Sequence, residues 1–251
     1  MRIFTIGSPD AYCLEATLFM PDVDSRFTDL HICDIAKLDS LSSCLLDKPG
    51  SEDISFGAEL LYGFINIIKS NYPHITQLSL QDASYLPCNR KADDTLDLLS
   101  YNIALYGKTW YEMKFGAHIK TALRQSAYQK GVRNYMSKEA KSCCNWDTFY
   151  ASIVKANKFT KDVIVANEAL YETIFKTSPT WPQCITLMRD EIKKEDRCKF
   201  FKGWLETLVF SYVPNERQWI IDIVNNDTMK NVLNTTSARP IRKASRKNSR
   251  F

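Results

Sequence analysis

The stretch between Gly50 and Ala117 constrains the fold more than any other part of the chain. Gly57, Leu60, Leu61, Phe64, Ile65 and Ile68 recur at i, i+3, i+4, i+7, i+8 and i+11, which places them on one broad apolar helix face. Asn71-Tyr72-Pro73 ends that helix, because proline offers no N–H and clashes with the preceding turn. The period then drops to two. Over residues 75–82, Leu78 and Leu80 alternate with Gln77, Ser79 and Gln81, as in a strand covered on one face. A helix that runs straight back into a strand is half of a βαβ unit and predicts a mixed α/β sheet with flanking helices. A second helix is expected over 93–105, with Leu96, Leu99, Ile103 and Tyr106 on one stripe and Asp93 and Asp94 at its favourable N-terminal end. The segment closes on the aromatic run Gly107-Lys108-Thr109-Trp110-Tyr111-Glu112-Met113-Lys114-Phe115-Gly116.

Upstream, strands are expected over 2–8, 11–20 and 27–38; in the second, Tyr12, Leu14, Ala16, Leu18 and Met20 alternate with Cys13, Glu15, Thr17 and Phe19. Beyond Ala117 the alternation fades. Helices are predicted over 118–135, 147–157, 161–177, 182–196, 199–212 and 216–233. The expected organisation is an α/β (α+β) domain over 1–117, an all-helical domain over 118–234 and a basic flexible tail over 235–251.

At 251 residues and 45% apolar content, the chain can bury one substantial core, or a main core and a smaller helical one. High aromatic content and small net charge exclude intrinsic disorder as its general state. No apolar run approaches the roughly 20 residues that span a bilayer, and residues 1–7 lack the apolar core and cleavage site of a secretory signal. An intracellular reducing compartment, the cytoplasm, is therefore the expected location. The cysteines at 13, 33, 44, 88, 143, 144, 184 and 198 contain no Cys-x-x-Cys pair, and with only His31, His74 and His118 no zinc spacing emerges. Free thiols and no metal are expected. Cys88 with His74 and Asp82 is the one nucleophile–base grouping to name, although residues 86–90 match no peptidase signature.

The net charge of +4 hides an asymmetry. Arg239, Arg242, Lys243, Arg246, Lys247 and Arg250 lie in the last fifteen residues without an acid, and setting them aside leaves the rest at −2. Such a segment reads as a tether to nucleic acid, anionic lipid or an acidic protein surface. Its lack of aromatics other than Phe251 argues against base stacking. Arg242-Lys243-Ala244-Ser245 looks like a basophilic kinase site, where a phosphate would remove about two units of attraction. In the helical part, Lys199-Phe200-Phe201-Lys202-Gly203-Trp204 reads as core, with a sticky partner face as the other reading.

The middle of the chain resembles the GNAT superfamily of acetyltransferases over about 70 residues. Glu52-Asp53-Ile54-Ser55-Phe56-Gly57, followed by Ala58-Glu59-Leu60-Leu61, occupies the place of that family's phosphate-cradling loop and helix; 75–84 resembles its next strand, and Trp110-Tyr111-Glu112-Met113-Lys114-Phe115-Gly116 its Tyr-Glu element, one residue longer. The resemblance implies a GNAT-like mixed sheet. It implies acetyl-CoA held by Ser55, Phe56, Gly57 and Ala58 at a helix N-terminus, Tyr111 as general acid toward the departing thiolate, and Glu15 or Asp34 as base toward the amine. The residues themselves pull the other way. Glu52 and Asp53 stand where a cation would serve, and a carboxylate beside a diphosphate is repulsive by roughly 1 kcal/mol even in high dielectric. Tyr111 between Trp110 and Phe115 also reads as an aromatic hinge. Leu78-Ser79-Leu80-Gln81-Asp82-Ala83-Ser84, Cys88, and Tyr106-Gly107-Lys108-Thr109-Trp110-Tyr111-Glu112 further resemble uncharacterised proteins of large DNA viruses of protists.

The expectation is accordingly a non-catalytic interaction or structural protein without a cofactor, virus-encoded and located in the virion if that resemblance holds. It would have protein partners in an assembly and a tail for an anionic partner such as nucleic acid. The alternative is an acyl-CoA-dependent N-acetyltransferase with Tyr111 as general acid and acetyl-CoA as cofactor.

Overall fold

The computed structural model describes residues 2–8, 11–18, 29–34, 55–82, 84–88, 95–156 and 161–224. Three strands open the chain, β1 (Arg2–Ser8), β2 (Ala11–Leu18) and β3 (Asp29–Asp34). Helix α1 (Ser55–Asn71) leads to β4 (Gln77–Gln81), then to the short strands β5 (Tyr85–Pro87) and β6 (Thr95–Asp97). Helices α2 (Leu98–Tyr106), α3 (Trp110–Phe115), α4 (Ala122–Tyr135), α5 (Lys138–Ser142) and α6 (Trp146–Ala156) follow. Then come α7 (Lys161–Ala166), α8 (Glu168–Thr177), α9 (Trp181–Glu191), α10 (Lys194–Phe201), α11 (Trp204–Phe210) and a last strand, β7 (Gln218–Asp222). The protein is α+β and mostly helical, with a five-stranded sheet in the order β1-β2-β3-β4-β7 and a two-stranded sheet, β5-β6.

The large sheet is mixed. β1 with β2 and β2 with β3 are antiparallel; β3 and β4 are parallel, with Leu30 opposite Leu78 and Ile32 opposite Leu80. The α1 crossover makes that parallel pair possible, since parallel neighbours cannot be joined by a tight turn. β7 closes the row antiparallel to β4, with Trp219 opposite Leu80 and Ile221 opposite Leu78. His118 then exchanges two backbone hydrogen bonds with Ile220, at 2.9 and 2.7 Å.

The face predicted for the first helix is the buried one: Leu61, Phe64, Ile65 and Ile68 are all fully covered. Tyr62 Oη donates to the Lys114 carbonyl, and its ring meets Phe115 at 4.6 Å, which ties α1 to α3. That short helix is fixed at both ends. Thr109 Oγ1 accepts the Glu112 amide at 3.1 Å and the Glu112 carboxylate accepts the Thr109 amide at 2.7 Å, a capping box. At its other end Gly116 takes φ 60, a left-handed stop that a side chain would strain.

The structure corrects the sequence reading in several places. The helix expected over 216–233 is not seen in its described part: Gln218–Asp222 is strand β7, so the region after residue 118 is not all-helical, and 225–233 lie outside the described residues. The helix expected from 93 begins at Leu98, capped by Asp97, after the strand Thr95–Asp97; Asp93 and Asp94 lie outside the described residues. The helix over 161–177 is interrupted at Asn167, and that over 199–212 at Gly203, whose φ of 82 breaks the helical run. Buried residues from both sides of residue 118, among them Phe64, Leu80, Ile103, Phe149, Trp181, Phe201 and Trp219, share one core. Phe200, Phe201 and Trp204 belong to it and are nearly inaccessible, so the core reading of 199–204 holds and the sticky face does not. No helix among the described residues is long and apolar enough to cross a membrane.

Candidate functional site

In an open sheet with parallel strands, ligands gather beyond the carboxyl ends of those strands. Here that end of β4 carries Asp82, whose amide donates to the Arg217 carbonyl at 2.7 Å, joining the exit of β4 to the entry of β7. The Asp82 side chain is buried and accepts hydrogen bonds from the Ser84 amide, at 3.0 Å, and the Ser84 hydroxyl. Burial raises its carboxyl above the usual carboxylate range, against the pull of those two hydrogen bonds.

Arg217 organises the neighbouring acids. Its Nη1 lies 2.6 Å from Asp97 Oδ1, its Nη2 lies 3.7 Å from Glu206, and Nε donates to Asn215 at 3.0 Å. Asp97 Oδ2 accepts the Ser100 amide at 2.8 Å and so caps α2. Burial lifts the Glu206 carboxyl, Asp97 adds to the rise, and Arg217 opposes it. Glu112, already in the capping box, accepts the Tyr128 hydroxyl at 2.7 Å. Tyr128 in turn stands edge-on to Trp219 at 5.3 Å, and burial pushes its phenol far above the ordinary tyrosine value. Each of these acids is engaged by a backbone amide, a hydroxyl or a guanidinium. The arrangement joins chain segments.

The residues expected to do chemistry lie on separate elements. Tyr111 lies in α3, nearly fully buried, with its ring edge-on to Trp110 at 5.0 Å. Glu15 sits in β2 opposite Thr5 and Asp34; its side chain is outside the described residues. Ser55, Phe56, Gly57 and Ala58 form the first turn of α1, and Ala58 is buried. Glu52 and Asp53 are outside the described residues, as are Arg239, Arg242, Lys243, Arg246, Lys247 and Arg250.

The Cys88 grouping is overturned. Cys88 is disulfide-bonded to Cys198, so its sulfur is no thiolate nucleophile, and the free-thiol expectation fails for both residues. Cys143, Cys144 and Cys184 are free, and burial pushes the Cys184 thiol up to about 12. Among the described residues no three His, Cys, Asp or Glu side chains converge as a metal site.

Lys141 and Arg217 escaped the sequence reading. Lys141 is buried, donates to the Phe175 carbonyl and lies 3.7 Å above the Phe175 ring; burial lowers its ammonium below the ordinary lysine value. Neither has a local sequence signal, because Phe175, the partner of Lys141, and Asp97, the acid closest to Arg217, lie far along the chain. Comparison of the chain with protein-family models, curated proteins and solved structures gave no match.

Proposed function

We propose that the chain is a non-catalytic interaction or structural protein built on a degenerate acetyltransferase-like scaffold, with its basic tail engaging an anionic partner. One observation carries this reading: the acids around the carboxyl end of β4 are each committed to a structural bond, Asp82 to Ser84, Asp97 to Ser100 and Arg217, and Glu112 to Thr109 and Tyr128. A general acid or base must present its proton-transferring atom to a substrate, and a carboxylate that caps a helix is poorly placed to do so. Tyr111, packed against Trp110, supports the same view. The six tail cations and the likeness to virus-encoded proteins favour a place in an assembly, and the Cys88–Cys198 bond counts against a reducing cytoplasm as its working compartment.

The strand order favours a second reading, an acyl-CoA-dependent N-acetyltransferase. A mixed sheet with a parallel β3–β4 pair and α1 between those strands in sequence supports it. In that reading the α1 N-terminus at Ser55, Phe56, Gly57 and Ala58 takes the pyrophosphate of acetyl-CoA and Tyr111 is the acid. Calorimetry separates the two. With acetyl-CoA the intact chain gives no binding heat in the first reading; micromolar affinity that is lost in Gly57→Asp establishes the second.

A further inference from the structure

We propose that the Cys88–Cys198 disulfide is a redox latch that holds the β5–β6 sheet against α10 and lets it loosen when the bond is reduced. Cys88 directly follows β5 and is half-buried; Cys198 lies in α10 and is almost covered. The bond joins segments 110 residues apart.

The latched element is small. β5 and β6 have three residues each and, among the described residues, pair only with each other, Tyr85 with Asp97, Leu86 with Leu96 and Pro87 with Thr95. A two-stranded ribbon of that length is marginal in water without outside support. Its non-covalent support comes from α2 and, along β6, from α10 itself. The Leu98 amide donates to the Ser84 carbonyl at 3.1 Å, Leu96 is buried, and Asp97 reaches Arg217. The disulfide alone gives it a covalent hold on α10. That helix is anchored just beyond Cys198 by Phe200 and Phe201, both in the core, with Phe201 edge-on to Tyr101 at 5.7 Å. Reduction therefore removes the covalent hold on that flank, leaves it to the packing of α10 on β6, and keeps the core of the protein intact. The device has two states, closed where disulfides persist and open where thiols are kept reduced.

The chemistry balances with a dithiol as reductant. One of its thiolates attacks the Cys88 sulfur, the more accessible of the two; the S–S bond breaks, and the Cys198 sulfur leaves as a thiolate and takes a proton. The second thiol of the reductant then closes on the mixed disulfide and releases the Cys88 thiol. The protein gains two electrons and two protons, and the reductant becomes a cyclic disulfide.

Hydrogen–deuterium exchange of the full chain with and without dithiothreitol tests the latch, with thiol alkylation before and after to count the bond. The expected result is two new alkylated thiols, at Cys88 and Cys198. Amides in 84–88, 95–97 and 194–201 should exchange about tenfold faster, while β4 and β7 stay unchanged. Cys198→Ser reproduces the pattern without reductant, and Cys88→Ser does so from the other side should that variant fail to fold. Thiols at Cys88 and Cys198 that alkylate before any reductant overturn the proposal. So does unchanged exchange in these segments after reduction, or equal acceleration across the whole chain.

Discussion

Arg217 Nη1 lies 2.6 Å from Asp97 Oδ1 while the other carboxylate oxygen of Asp97 accepts the Ser100 amide at 2.8 Å, so one acid both caps α2 and anchors the approach to β7. The pair is mostly shielded, with side-chain exposures of 29% and 12%. The contact links the start of α2 to the residue that leads into the strand completing the sheet.

Substitution separates the two roles of Asp97. Asp97→Ala removes a helix cap, about 1 kcal/mol, and strips Arg217 of its closest partner, so a total loss of about 2 kcal/mol is expected. Asp97→Ser keeps a capping oxygen and should lose about half of that. Urea midpoints of the two variants and the parent measure both, and an Asp97→Ala midpoint indistinguishable from the parent would refute the anchoring role.

Asp82 gives a pH dependence with a definite sign. Its folded-state carboxyl is raised by burial, so between the unfolded value near 4 and the folded value the native state holds the proton more tightly. Stability from this group is present below that window and falls as pH rises through it. Asp82→Asn keeps an oxygen for the Ser84 donors but cannot ionise. The difference in unfolding free energy, variant minus parent, should therefore move in the variant's favour between pH 4 and pH 7. A difference that is flat or moves the other way shows that Asp82 is not a buried, reluctant anion.

How much of this was legible depends on where each partner sits in the chain. α1 and β4 could be read because their apolar periods are strong and the interruption at Pro73 is local. β7 could not. Trp219-Ile220-Ile221 followed by Asp222 and Ile223 is a short apolar run that fits helix or strand, and the ladder that decides it lies on β4, where Gln77 hydrogen-bonds Asp222 across 145 residues. The disulfide was invisible for the same reason: spacing alone does not pair Cys88 with Cys198. Asp97 did leave a signal, an acid directly before Leu98-Leu99, which the more prominent Asp93-Asp94 pair masked.

The basic tail makes a prediction that needs no fold. Six cations without an acid between residues 237 and 251 should dominate adsorption to a polyanion, since the rest of the chain is mildly acidic. Removing 237–251 should bring the protein off heparin at clearly lower salt, because each lost contact reduces the salt dependence of binding. Unchanged elution would place the anionic contact elsewhere or remove it.

Two helix glycines should respond in opposite directions to the same substitution. Alanine normally stabilises a helix interior by up to about 1 kcal/mol relative to glycine. At Gly63 in α1 a Cβ would meet nothing within 4 Å, so Gly63→Ala should gain that stability. At Gly131 in α4 a Cβ would stand 2.6 Å from the Tyr212 carbonyl and 3.0 Å from Val213 Cα, both backbone atoms that cannot turn aside. The close approach is what seats α4 against the segment leading into β7, and overpacking there should outweigh the helical gain, with a net loss of about 1–3 kcal/mol. Thermal midpoints of the two variants, measured side by side, should fall on either side of the parent. If Gly131→Ala instead melts above the parent, α4 does not pack as tightly against residues 212–214 as the structure places it.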